Sequence, residues 1–184
     1  MIADALRKST FATAREKRLF HGQPMTDVPA QLQALETAVT ALAAAGIAHA
    51  LIGGLAVGAL SGVPRATLDV DLAVPTTVSV ERLAAVLVAA GFRATGSFAH
   101  SLNFRSGADE PVQLAFDPEF DAMIERASKV SMGSFEVSIV QLADLIRMKR
   151  RAAGDPSRRR SKALRDQADI ELLLGDTPDP DEGW

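Results

Sequence analysis

The pair Gly53-Gly54 ends a short apolar run, His49-Ala50-Leu51-Ile52, and is followed, after a short helical stretch, by Asp69 and Asp71. No other feature limits the chain's possible folds as tightly. The run before the glycines reads as a buried strand and Leu55 to Leu60 as a short helix. Leu68 to Val74 reads as a second strand, because apolar and acidic residues alternate there with a period of two. Two aspartates two apart on a strand project from the same face. Held that close they repel, unless positive charge sits between them. Mg²⁺ suits such a pair, since it takes carboxylate oxygens together with substrate phosphates; Mn²⁺ is the alternative ion.

Gly53 and Gly54 fit the same chemistry. Glycines between a strand and a helix let backbone approach a phosphate closely and leave the first N–H groups of the helix pointing outward. A phosphate cradle beside metal-binding carboxylates suggests a nucleoside triphosphate (NTP) as substrate. A hydroxyl would attack the α-phosphoryl group and pyrophosphate would leave. Arg65 and Thr67 lie just before the acids. Arg65 suits a phosphate or an ion pair with Asp69 or Asp71. Thr67 shares the strand face of Asp69 and suits the nucleotide or metal; its β-branched shape also suits a strand.

Around this centre the sequence predicts an α/β (α+β) protein, with a mixed sheet flanked by helices and a helical C-terminal part. Residues 1–26 read as an N-terminal helical extension, 27–140 as the core, 141–174 as the helical part and 175–184 as a mobile acidic tail. Asp27 is the expected cap of a helix reaching about Ala45, and Gly46 its closing residue. Further elements are a helix from Ser79 or Val80 to Ala90, strands near Ser101–Arg105 and Val112–Phe116, a helix over 119–127, a strand at Phe135–Ile139 and helices over 141–153 and 161–174.

The segment Leu51-Ile-Gly-Gly-Leu-Ala-Val through Pro64-Arg-Ala-Thr-Leu-Asp-Val-Asp-Leu resembles the signature of the nucleotidyltransferase fold. Its detailed form is most similar to the AbiEii/MenT-like toxins of bacterial toxin–antitoxin systems. Asp144-Leu-Ile-Arg-Met-Lys149 resembles that family's Lys-bearing helix, and Arg165-Asp-Gln-Ala-Asp-Ile resembles its Lys-Asp-x-x-Asp element. The resemblance spans about residues 46 to 174. It implies that Asp69 and Asp71 hold the metal, that Lys149 binds triphosphate, and that Asp166 is a catalytic or positioning acid. It also implies tRNA as acceptor, a cognate antitoxin as partner, and Thr67 as a candidate site of regulatory modification.

One position departs from the fold's pattern. Many nucleotidyltransferases carry a third carboxylate on a later strand, where this chain has Gln113. A neutral amide supplies no charge to a metal and accepts no proton as a base. Asp117 lies on the same face, two pleats along.

Net charge is −3, yet Arg147, Lys149, Arg150, Arg151, Arg158, Arg159, Arg160, Lys162 and Arg165 crowd one segment with a single acid, Asp155. Of these, Arg150, Arg151, Arg158, Arg159, Arg160 and Lys162 are candidate contacts to RNA phosphates. A solvated helix surface is the plainer account. The chain has no Cys, which excludes disulfides and Cys-based zinc sites and fits a cytoplasmic location. No run is long enough to cross a membrane, and Met1 to Lys8 precedes no apolar stretch of the signal-peptide kind. His21, His49 and His100 are scattered and have no assigned ligand role. Three functions stay open: nucleotide transfer to RNA as a toxin, transfer to a protein or a small molecule such as an aminoglycoside, and a degraded transferase acting as a binding module.

Overall fold

In α1 (Ala30–Ala44), Leu35, Val39 and Leu42 recur at helical spacing and are buried together with Ala34 and Ala38. The structure, a computed structural model, describes residues 29–176. The expected N-terminal helix, the Asp27 cap and all but the start of the acidic tail lie outside that range. Within it, Pro29 takes the cap position of α1. Gly46, at φ +68°, closes the helix, and the Ile47 N–H donates to the Leu42 carbonyl at 2.9 Å.

The chain continues through β1 (Ala50–Ile52), α2 (Gly53–Ser61), β2 (Val70–Ala73), α3 (Val80–Ala89), β3 (Arg93–Phe98), β4 (Ser101–Arg105) and β5 (Pro111–Ala115). Then come α4 (Pro118–Glu125), β6 (Ser128–Met132), β7 (Phe135–Ile139), α5 (Leu142–Gly154) and α6 (Arg160–Leu174). The strands form one sheet in the order β3-β4-β5-β2-β1-β7-β6. β2–β5 and β1–β7 pair in parallel; the remaining neighbours are antiparallel. This is the expected mixed sheet, flanked by helices.

Register decides which side chains share a face. Across β2, β5 and β4, Leu72 aligns with Leu114 and Leu102, and Val70 with Val112 and Phe104. These six side chains are all buried. Fully burying one such side chain contributes roughly 1.5–3 kcal/mol. The row between them, Asp71–Gln113–Asn103, faces the other way and is half-buried.

β3 and β6 are the strands that the sequence pattern does not announce. They are the two edges of the sheet, and most of their residues are exposed. An edge strand is held by backbone pairing to one neighbour, so no apolar alternation marks it. In β3 the register also shifts between Ala94 and Gly96.

The two C-terminal helices pack on each other and on α2. Asp144, in the first turn of α5, is buried, and both its oxygens accept from Arg126 at 2.7 Å. Arg147 adds a third contact at 2.8 Å. Those hydrogen bonds, Arg126's foremost, hold the Asp144 carboxyl below its ordinary value despite its burial. No described helix is long and apolar enough to cross a membrane.

Candidate active site

Ile52, the last residue of β1, pairs with Asp71 of β2, so the chain leaving β1 turns directly beside that aspartate. The turn leaves no room for side chains. Gly53 has φ +71°, and a Cβ on it would lie 2.1 Å from Asp71 Oδ2. A Cβ on Gly54 would lie 2.7 Å from both Cβ and Oγ1 of Thr67. Both contacts are far inside van der Waals distance, so glycine is required twice, once for backbone angle and twice for space. α2 starts here with no side-chain cap and no acid in its first turn. Its leading N–H groups are therefore left for an anion.

Asp71 lies within β2 and is half-buried, while Asp69 is exposed just before the strand begins. Burial pushes the Asp71 carboxyl up to about 6, and the neighbouring Asp69 charge pushes the same way. Lys149 and Lys162 pull it back down. The Asp71 carboxylate thus feels the Asp69 carboxylate, from the residue before β2, and two ammonium groups, from α5 and α6. The pair suits a hard divalent cation, whose charge would relieve both repulsion and burial. Among the described residues no group of three or more His, Cys, Asp or Glu could hold a metal ion. Two carboxylates alone would leave most positions around a Mg²⁺ ion to water and substrate phosphates.

Behind the carboxylates lies a buried ionic chain. Lys149 Nζ sits 2.9 Å from Asp166 Oδ1 and 2.8 Å from Asp169 Oδ2. The second contact is an ion pair without hydrogen-bond geometry, since Asp169 Oδ2 has no hydrogen-bond partner among the described residues. Arg158 Nε donates to Asp166 Oδ2 at 2.6 Å, and Arg65 Nε donates to Asp169 Oδ1 at 2.5 Å. Arg65 also donates to the Ala66 carbonyl. Both aspartates are buried. Burial works to raise the Asp169 carboxyl, but Arg65 and Lys149 outweigh it and hold that carboxyl below its ordinary value.

This chain places three of the residues singled out in the sequence. Arg65 pairs with Asp169, not with Asp69 or Asp71. Arg158, grouped with the RNA-contacting cations, turns inward to Asp166. Asp166, expected as a catalytic or positioning acid, already accepts on both oxygens and so positions Lys149. Sequence reasoning gave Asp169 no role, although its place three residues after Asp166 on a helix put both acids on one face.

Gln113 stands in register with Asp71, where the third acid was expected. Its amide Nε2 donates to Asn103 Oδ1 at 3.0 Å. Asp117 does not substitute for it: its side chain caps α4, accepting from the Glu119 N–H at 3.0 Å. His49 makes a 2.9 Å contact from Nδ1 to the Ile47 carbonyl, away from any cluster of ligands.

The basic segment divides. Arg151 pairs with Glu119 at 2.7 Å. Arg150, Arg159, Arg160, Lys162 and Arg165 are exposed and make no ion pair among the described residues. A cavity of about 350 Å³ lies elsewhere, between α1, the end of α3 and the loop at Ser106 to Ala108; no carboxylate lines it.

The chain resembles solved structures of nucleotidyl-transferring proteins. A solution structure of the antibiotic-resistance factor ANT(2'')-Ia matches with a TM-score of 0.59 at 19% identity, over 80% of this chain and 85% of that one. The lincosamide antibiotic adenylyltransferase LnuA, with lincomycin bound, matches with 0.57 at 12% identity, over 79% and 97%. The Megavirus polyadenylate synthase matches with 0.52 at 10% identity, over 97% of this chain and 39% of its own. At such identities the likeness is one of fold, and the fold is that of the nucleotidyltransferases. No protein-family model matches the chain, and no curated protein matches it.

Proposed function

We propose that the protein is a Mg²⁺-dependent nucleotidyltransferase that moves a nucleotide from an NTP to the 3′ end of an RNA, with tRNA as the expected acceptor. The observation that carries the reaction class is the close approach of Gly53 to the Asp71 carboxylate: the glycine turn that opens α2 and the candidate metal-binding acid lie directly against each other. The triphosphate lies along the N-terminus of α2, whose N–H groups receive its oxygens. Lys149, fixed by Asp166 and Asp169, supplies positive charge beside it.

Asp69 and Asp71 would hold the cation, which when bound neutralises the phosphates and the attacking and leaving oxygens. The acceptor hydroxyl oxygen bonds to the α-phosphorus and the bond from that phosphorus to the pyrophosphate oxygen breaks. The hydroxyl proton passes to solvent water. Asp166 and Asp169 are already held by cations and Gln113 accepts no proton.

An anionic acceptor is favoured by the start of α6. Arg159, Arg160 and Lys162 cluster at a helix N-terminus with no acid in the first turn. Cations there oppose the helix dipole by roughly 0.3–1 kcal/mol each, so stability does not select them. Lys162 also acts on Asp71, so this charge begins at the site. The toxin role and a cognate antitoxin rest on the AbiEii/MenT resemblance of the motifs. A second reading, transfer to a small hydroxylated molecule, is favoured by the fold shared with ANT(2'')-Ia and LnuA.

Labelled NTPs incubated with total RNA, with tobramycin and with a protein extract test these together. Label in RNA that disappears in Asp69→Asn supports the first reading. Label confined to tobramycin or to protein overturns the RNA acceptor, and no NTP binding in the presence of Mg²⁺ overturns the transferase itself. Growth arrest on expression, relieved by Asp69→Asn, tests the toxin role.

A further inference from the structure

The row Asp71–Gln113–Asn103 runs across three adjacent strands, β2, β5 and β4, on the face opposite the buried leucine and valine rows. Adjacent strands lie about 4.8 Å apart, so the row extends about 10 Å from the carboxylate. Gly53 and Gly54 lie on the other side of Asp71, at the end of β1. Glycine turn, carboxylate and amides therefore follow one another in a line across the sheet.

In-line displacement at phosphorus puts the attacking and leaving oxygens on opposite sides of the transferred group. With pyrophosphate on the α2 side, the attacking hydroxyl must enter from the β5 side. That is where Gln113 and Asn103 stand. Gln113 Nε2 donates to Asn103 Oδ1, which fixes both amides against each other. One Nε2 hydrogen and the Oε1 of Gln113, and both Nδ2 hydrogens of Asn103, make no hydrogen bond among the described residues. Both side chains are only half-buried, so these groups are open to a ligand. They are neutral and offer donors and an acceptor together, which matches a sugar hydroxyl and not a phosphate.

We propose that the Gln113–Asn103 amide pair is the acceptor subsite: it binds the sugar that carries the attacking hydroxyl, in place of the missing third acid. The proposal rests on the transferase reading above. The shared chemistry is a sugar hydroxyl, which a 3′-terminal ribose and an aminosugar ring both provide. The two amides are positioning residues that hold the nucleophile at the side of the α-phosphorus away from the leaving group.

The test measures two affinities in Gln113→Met and Asn103→Ala. One is for the NTP that wild type uses, titrated with Mg²⁺. The other is the acceptor KM, measured separately with total tRNA and with tobramycin. Each variant should keep its NTP affinity, which also shows that it is folded, and raise the KM of the productive acceptor about tenfold, the loss of one good hydrogen bond. A rise with tRNA identifies the ribose as the ligand; a rise with tobramycin identifies the aminosugar. Unchanged acceptor KM in both variants overturns the subsite while leaving the transferase standing. Weakened NTP binding at an unchanged melting temperature also overturns it, by assigning the amides to the nucleotide. A wild type that binds NTP but labels no acceptor fails the parent reading and removes this one with it.

Discussion

Arg65 Nε and Asp169 Oδ1 lie 2.5 Å apart although 104 residues separate them in the chain. The pair joins the loop before β2 to helix α6, and through Lys149 it reaches α5. Asp169 is 1% exposed and Arg65 22%, so water screens the pair poorly. Removing one partner of a buried pair leaves the other charge uncompensated. Asp169→Ala should therefore lower stability by about 3 kcal/mol, read as a lower urea midpoint. An unshifted midpoint would show that the ionic chain does not hold the helices to the core.

Asp71→Asn should separate stability from function. The folded carboxyl titrates at about 6, above the ordinary 3.8. A raised acid opposes folding once it ionises: the penalty appears above the unfolded value and is complete above about pH 6. Two units correspond to roughly 3 kcal/mol. The metal-free Asp71→Asn variant should thus melt higher than wild type at pH 8, and the difference should vanish near pH 4. Mg²⁺ affinity should be lost at the same time. A variant that melts lower at pH 8 would contradict this account of the site.

Gly53→Ala should damage the site without touching a charged group. Its Cβ would overlap Asp71 Oδ2, and its φ of +71° strains any residue with a side chain. A cost of about 1–3 kcal/mol is expected, with weaker NTP binding because the turn must move. Gly46→Ala, where nothing lies within 4 Å, is the control: it shares the strained φ but should leave NTP binding intact.

Asp144 should set the acid limb of stability. Its carboxyl is held below the ordinary 3.8 by Arg126 and Arg147. A depressed acid contributes stability that is present above the unfolded value and is lost as pH falls through the folded one. Wild type should therefore lose stability below about pH 4, and Asp144→Asn should lose less across that window. Equal acid slopes for the two proteins, in urea melts from pH 2 to 5, would remove Asp144 from this role.

The sequence carried the centre of the protein well, because that centre is written in period and spacing. Leu35, Val39 and Leu42 marked α1; the alternation through Val70 and Leu72 marked β2, although Asp69, expected on that strand, lies just before it; Gly53 and Gly54 marked the turn that packs against Asp71. The edge strands β3 and β6 left no such trace, since backbone pairing holds them. Partner choice among the charges was hidden for a different reason. Arg65, Arg158 and Arg160 look alike in sequence, and only the docking of α6 sends the first two inward to Asp169 and Asp166.

That late-arriving helix has a consequence for synthesis. Lys149 emerges from the ribosome before Asp166 and Asp169, and until α6 settles nothing pins its ammonium beside the carboxylates. A nascent chain halted ahead of those residues has its glycine turn, Asp69 and Asp71 but no anchored cation. Anchoring of the Lys149 ammonium therefore waits on two aspartates that follow it by 17 and 20 residues, so the ionic chain closes only when α6 docks.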